Sequence, residues 1–95
     1  MARSDFGDYR NITSATTTVV KTGTGALMGV IVNAAVASGT ITIYDNTAGS
    51  GTTIATITYP ATLLANHNVF PYFCKFTTGL TIVTTGTANI TVVYK

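Results

Sequence analysis

"GTITIYDNTAGSGTTIATITY", residues 39–59, is the stretch on which the fold turns. Ile41 and Ile43 alternate with Thr40, Thr42 and Tyr44, and a period of two sends the isoleucines to one side of a strand and the hydroxyls to the other. The return run "TTIATITY" carries Ala55, Ile57 and Tyr59 on one side. Between the two runs lies "TAGSG", a loop longer than a two-residue turn, with Gly49 and Gly51 available for positive φ. Asp45 and Asn46 are the residue types that bond the backbone of a turn they open. The reading is a β-hairpin with an inside of isoleucine, an outside of threonine, and nothing reactive on either face.

The rest of the chain repeats that grammar. Threonine occurs at 21 of 95 positions and glutamate at none, and stiff β-branched side chains fit a pleated surface better than a helix. Short apolar or alternating runs are separated by glycine, asparagine or proline, the spacing of a sandwich or barrel. "ITSATTTVVKT" from Ile12 is expected to form a hairpin with "ALMGVIVNA" across the glycine turn 23–25. The second of these runs has no polar face and reads as a central strand covered on both sides.

In "VFPYFCKF", residues 69–76, Phe70, Tyr72, Cys74 and Phe76 share one face, and Val69, Pro71, Phe73 and Lys75 the other. Pro71 cannot donate to a ladder, so this strand belongs at an edge or is bulged there. "GLTIVTTG" and "ANITVVYK" are expected to pair as the last two strands. The connection 60–68 is expected to be a loop with at most a short turn. The fold class is therefore all-β: a small antiparallel sandwich, jelly-roll-like, of about seven strands spanning residues 12–95. Residues 1–11, "MARSDFGDYRN", lack alternation and hold four of the eight charged residues, so they read as an irregular N-terminal arm. Arg3, Phe6, Tyr9 and Arg10 are its candidate partner contacts, two aromatic anchors and two cations.

Chemistry is sparse. His67 is the sole histidine and sits between two asparagines in a polar connection; Cys74 alternates with aromatics as a small core residue. One cysteine makes neither an internal disulfide nor a cysteine metal cluster. No acid–base pair is in view, a calcium loop would need more carboxylates than Asp45, and "GTGAL" lacks the lysine and serine of a phosphate loop. The expectation is a non-enzyme without catalytic residues, cofactor or metal. A net charge of +2 with scattered cations does not make a nucleic-acid stripe. The first residues carry no apolar signal region and no run reaches the length of a membrane helix, so neither secretion nor a membrane partner is expected. Rows of hydroxyls with a tyrosine such as Tyr44 could hold a glycan, although strand threonine is also what β propensity alone supplies. So few charges on so much β-structure imply a surface that is covered in the working state.

The segments "TTTVVKTGTGALMGVIVN", "TITIYDNTAGSGTTIATI", "PATLLA" and "KFTTGLTIVTTGTANITVVYK" resemble a group of small β-sandwich virion proteins encoded among the structural genes of tailed bacteriophages. The likeness runs from Thr16 to Lys95 and is most specific in "TIYDNTAGSGT" and "GLTIVTTGTANITVVY". It implies a capsid decoration or cement protein on the virion exterior, made in the host cytoplasm. Such proteins sit, usually as homotrimers, where major capsid protein subunits meet. A neck or tail ring component and a carbohydrate-binding virion module are the other roles open to such a sandwich. The likeness implies no active-site residue and leaves the arm unexplained.

Overall fold

A computed structural model describes residues 7–34, 39–58, 69–86 and 89–95. Eight strands follow in chain order: β1 (Asp8–Ile12), β2 (Thr17–Thr22), β3 (Gly25–Ala34), β4 (Thr40–Asp45), β5 (Thr52–Thr58), β6 (Val69–Phe76), β7 (Gly79–Thr84) and β8 (Asn89–Tyr94). They form two four-stranded sheets, ordered β1-β8-β3-β6 and β2-β7-β4-β5, with every pairing antiparallel.

That order has a simple generator. First pairs with last, β2 with β7, β3 with β6 and β4 with β5, as if one long hairpin with its tip at 46–51 had been rolled up. The result is an eight-stranded jelly roll, a double sheet built from Greek keys. The stretch 39–59 supplies the tip, and among the described strands β4–β5 is the one consecutive pair that hydrogen-bond to each other.

Three sequence expectations are corrected here. Residues 8–11, read as irregular arm, belong to β1, an eighth described strand beside the seven or so expected of the sandwich. Its alternation is hidden because an edge strand with solvent on both faces needs no apolar side until Ile12 reaches the core. Ile12 itself ends β1, and the next strand begins only at Thr17. Neither β2–β3 nor β7–β8 is a hairpin, since each pair is split between the sheets.

The short connections 23–24 and 77–78 are arches that change sheet, not turns that reverse within one. They lie side by side: the Gly23 N–H donates to the Thr78 carbonyl at 2.9 Å and the Thr24 hydroxyl to the Thr77 carbonyl at 3.2 Å. The expected loop at 60–68, with His67 in it, lies outside the described residues.

The core sits between the sheets. Leu27, Val30, Phe76, Ile90 and Val92 of one meet Ile41, Ile43, Leu80 and Ile82 of the other, each 0–1% exposed. Each such side chain contributes about 1.5–3 kcal/mol of transfer free energy. Phe70, Tyr72 and Cys74 pack against this core as the alternation requires. Burial raises the Tyr72 hydroxyl above its ordinary pKa, and the neighbouring Cys74 adds to the shift. The two buried threonines are hydrogen-bonded: Thr81 donates to the Asn46 carbonyl at 2.7 Å, and Thr84 donates to the Ser14 carbonyl at 2.7 Å. No helix among the described residues is long and apolar enough to cross a membrane.

Candidate interaction surface

The central strand β3 was expected to be covered on both sides, and the described residues cover only one. Leu27, Val30 and Val32 face the core, while Met28 and Ile31 look out from the other face of the sheet. Register assembles a surface there. Tyr9 of β1, Val93 of β8, Gly29 of β3 and Pro71 of β6 stand in one transverse row, and Asn11, Thr91, Ile31 and Val69 in the next. Between β3 and β6 the surface sinks into an apolar groove of about 220 Å³, walled by Met28, Ile31, Val69, Phe73 and Val93.

Gly29 is its floor. A Cβ there would stand 3.1 Å from the Phe70 carbonyl oxygen and 3.4 Å from the Pro71 Cα, so a side chain would fill the groove against rigid backbone.

Phe73 is the most conspicuous member. Between Leu27 and Gly29, β6 spends three steps where β3 spends two, and Phe73 sits in the resulting bulge with φ at 48°. Positive φ in a bulky residue costs about 1–2 kcal/mol, and its ring is nonetheless 76% exposed. Val69, two residues before Pro71 on the same face, is 60% exposed. Pro71 thus lies on a strand that is both an edge and bulged.

The far end of the face is polar. Asn11 donates from Nδ2 to Asn89 Oδ1 at 2.7 Å and to the Ile90 carbonyl at 2.8 Å. Asn33 donates from Nδ2 to Asn89 Oδ1 at 3.1 Å and to Thr91 Oγ1 at 3.0 Å. This ladder ties three strands together. At the opposite end, Lys75 aligns with Ala26, which exchanges backbone hydrogen bonds with Lys95 at 2.8 and 2.9 Å.

Of the four arm residues singled out in the sequence, two are described. Tyr9, 73% exposed, lies on the apolar face beside Val93. Arg10 is on the opposite side of β1, the side that carries Ile12 into the core, and borders an open polar cleft of about 390 Å³ with Thr13, Ser14 and Thr16–Thr18. Strand alternation therefore separates two residues that an irregular arm would have presented together. Arg3 and Phe6 lie outside the described residues. The residues missed were Met28, Ile31, Val69 and Phe73; the available signal was an apolar run on both sides of β3 and β6.

Asp45 also works differently from its sequence reading. Its carboxylate reaches across to the β6–β7 arch, accepting from the Thr77 N–H at 3.0 Å, the Thr78 N–H at 2.8 Å and the Thr77 hydroxyl at 3.3 Å. Those backbone donors, Thr78 first, lower its pKa below the ordinary 3.8. Asn46 alone ties the hairpin loop, donating to the Ser50 carbonyl at 2.7 Å and accepting from the Thr47 N–H at 2.8 Å.

Among the described residues no three His, Cys, Asp or Glu side chains gather as metal ligands. What fold and surface define is a small jelly roll with an open apolar face, a strained aromatic on it and polar ends. Comparison with protein-family models, curated proteins and solved structures returns no match to this chain.

Proposed function

We propose that this is a non-enzymatic bacteriophage structural protein that decorates and cements the capsid exterior by binding major capsid protein subunits as a homotrimer. The observation that carries the reading is the open apolar face of the β1-β8-β3-β6 sheet, with Phe73 held on it in a strained backbone. Apolar surface that the described residues leave open supports a reading in which another molecule covers it. The sequence resemblance over residues 16–95 and the jelly roll, a fold shared by viral capsid domains among others, support the class by analogy.

In this reading the protein binds the assembled lattice in preference to its free subunits, and stabilises the shell by mass action. Tyr9 contacts the capsid from the apolar face, Arg10 from the edge of the sandwich, and Arg3 and Phe6 from the segment before β1.

Quantitative mass spectrometry of mature virions tests the role. A copy number comparable with that of the major capsid protein supports a decoration lattice; a count fitting a single ring moves the protein to the neck or tail. Absence from the virion sinks both and turns attention to glycans. The contact residues are tested by binding to purified shells after deleting residues 1–6, which leaves β1 intact, and by Tyr9→Ala.

A further inference from the structure

We infer that two copies of this chain join edge to edge in solution, β1 against β1 in antiparallel register, with a twofold axis passing between the two Tyr9 residues. The inference goes beyond the capsid reading and does not require it.

Four strands end the two sheets: β1 and β6 in one, β2 and β5 in the other. An unpaired edge offers its backbone N–H and C=O groups to any extended chain, and folded proteins blunt such edges with bulges, proline or charge. Three of the four are blunted by geometry. β2 spends an extra residue, Val20, against β7, and β5 an extra residue, Ile54, against β4. β6 carries both Pro71 and the bulge at Phe73. Of the four, β1 alone keeps an unbroken register, from Asp8 opposite Tyr94 to Ile12 opposite Ile90, and it holds no proline.

Charge is the remaining defence of an edge, and in β1 the charges are self-complementary. Asp8 and Arg10 stand two positions apart on one side of the strand, the side that carries Ile12 into the core. Neither side chain has an ion pair or hydrogen bond among the described residues. Directly opposite residues of an antiparallel pair share a face. With the axis at Tyr9, Asp8 of each copy stands opposite Arg10 of the other, giving two opposite-charge pairs on one face. On the other face the two exposed Tyr9 rings form a cross-strand aromatic pair. Moving the axis to Asp8 or to Arg10 sets like charges against each other, and an in-register parallel pairing does so twice. Like charges directly opposite destabilise, so charge selects one direction and one register.

The same operation joins the two β1-β8-β3-β6 sheets into one of eight strands, an isologous contact that closes on itself. Arg10 borders the polar cleft between the end of β1 and the start of β2, so the new ion pairs lie at the wet margin of the sandwich and weaken with salt. A five-residue edge makes far less contact than the roughly 1,200 Å² of a standard interface, and main-chain hydrogen bonds carry the affinity, as in strand addition generally. The association is therefore weak and reversible, with a dissociation constant of about 100 μM.

Sedimentation equilibrium of the full chain from about 10 μM to 1 mM, with amide spectra over the same series, reads the outcome. The expected result is a mass rising from one chain toward two, with the concentration-dependent amide shifts centred on residues 8–12. Asp8→Arg and Arg10→Asp should each weaken pairing about tenfold, since each turns two attractions into repulsions. The double exchange, Asp8→Arg with Arg10→Asp, should restore the affinity, which a strand merely damaged by substitution would not do. A chain that stays monomeric at the top of the series, a mass of three chains, a dimer indifferent to both single exchanges, or one that the double exchange leaves weak overturns the inference. Shell binding is scored separately: the double exchange keeps the pair while removing the Arg10 contact of the capsid reading, so either can fail while the other stands.

Discussion

The outer faces of the two sheets come from the same threonine-rich chain and are finished in opposite ways. On the β2-β7-β4-β5 sheet the hairpin tip folds back over its own strands. Gly49 comes so near that a Cβ would stand 2.9 Å from Val83 Cγ2 and 3.1 Å from Thr17 Cγ2, and the Asn46 carbonyl takes the Thr81 hydroxyl beneath it. Gly51, not Gly49, is the residue with positive φ, at 99°. The loop therefore serves as a cover for this sheet. The β1-β8-β3-β6 sheet has no such cover among the described residues; Met28, Ile31, Val69 and Phe73 face outward with a strained backbone among them. Among the described residues, one face is covered by its own hairpin loop and the other is left open and apolar.

The contrast can be broken at several points. The largest effect belongs to the core that both faces share: Ile43→Ala, at a fully buried site, should cost about 2–5 kcal/mol in a denaturant melt. Phe73→Gly comes next and carries the opposite sign. It relieves the positive φ and should raise stability by about 1 kcal/mol while shell binding is weakened, because the exposed ring contributes little to the isolated fold. If Phe73→Gly instead lowers the melting temperature, the ring belongs to the fold and the open-face reading is wrong.

Asp45 gives a pH test of the corner where the chain changes sheet. Its pKa is lowered in the folded state, so its contribution is complete above the ordinary value of 3.8 and is lost as pH falls from there through the folded value. Thermal melts between pH 5 and pH 2 should show a decline that Asp45→Asn makes shallower; an equal slope in both proteins would remove the carboxylate from that role. The smallest effect is expected at the covering loop. Ser50→Ala should change stability by less than about 0.5 kcal/mol, since only the Ser50 carbonyl is engaged, by Asn46.

Legibility followed burial. Where one side of a strand is buried and the other wet, as in β4 with Ile41 and Ile43 inside, period two shows at once. It fails in β1, where Asp8 to Asn11 are exposed on both faces and no position is constrained until Ile12. It misleads in β3, where an apolar outer face reads as burial although the cover is not part of the described chain. The interaction face was half legible for the same reason: "VFPYFCKF" announces its alternation and its edge, but no sequence pattern announces a bulge with positive φ at Phe73.

The sequence by itself determined the class: all β, hardly charged, and one hairpin at 39–59 with isoleucine within. Those properties are local, set by side-chain stiffness, alternation and turn residues acting over a few positions. Only the tertiary structure decided that first pairs with last, that the arches at 23–24 and 77–78 cross between sheets, and that Asp45 holds the second arch instead of its own turn. Those are contacts between residues 32 to 86 positions apart, and a two-residue glycine or threonine connection is compatible with either a hairpin or an arch. Which one forms depends on where the rest of the chain can bury its apolar sides together.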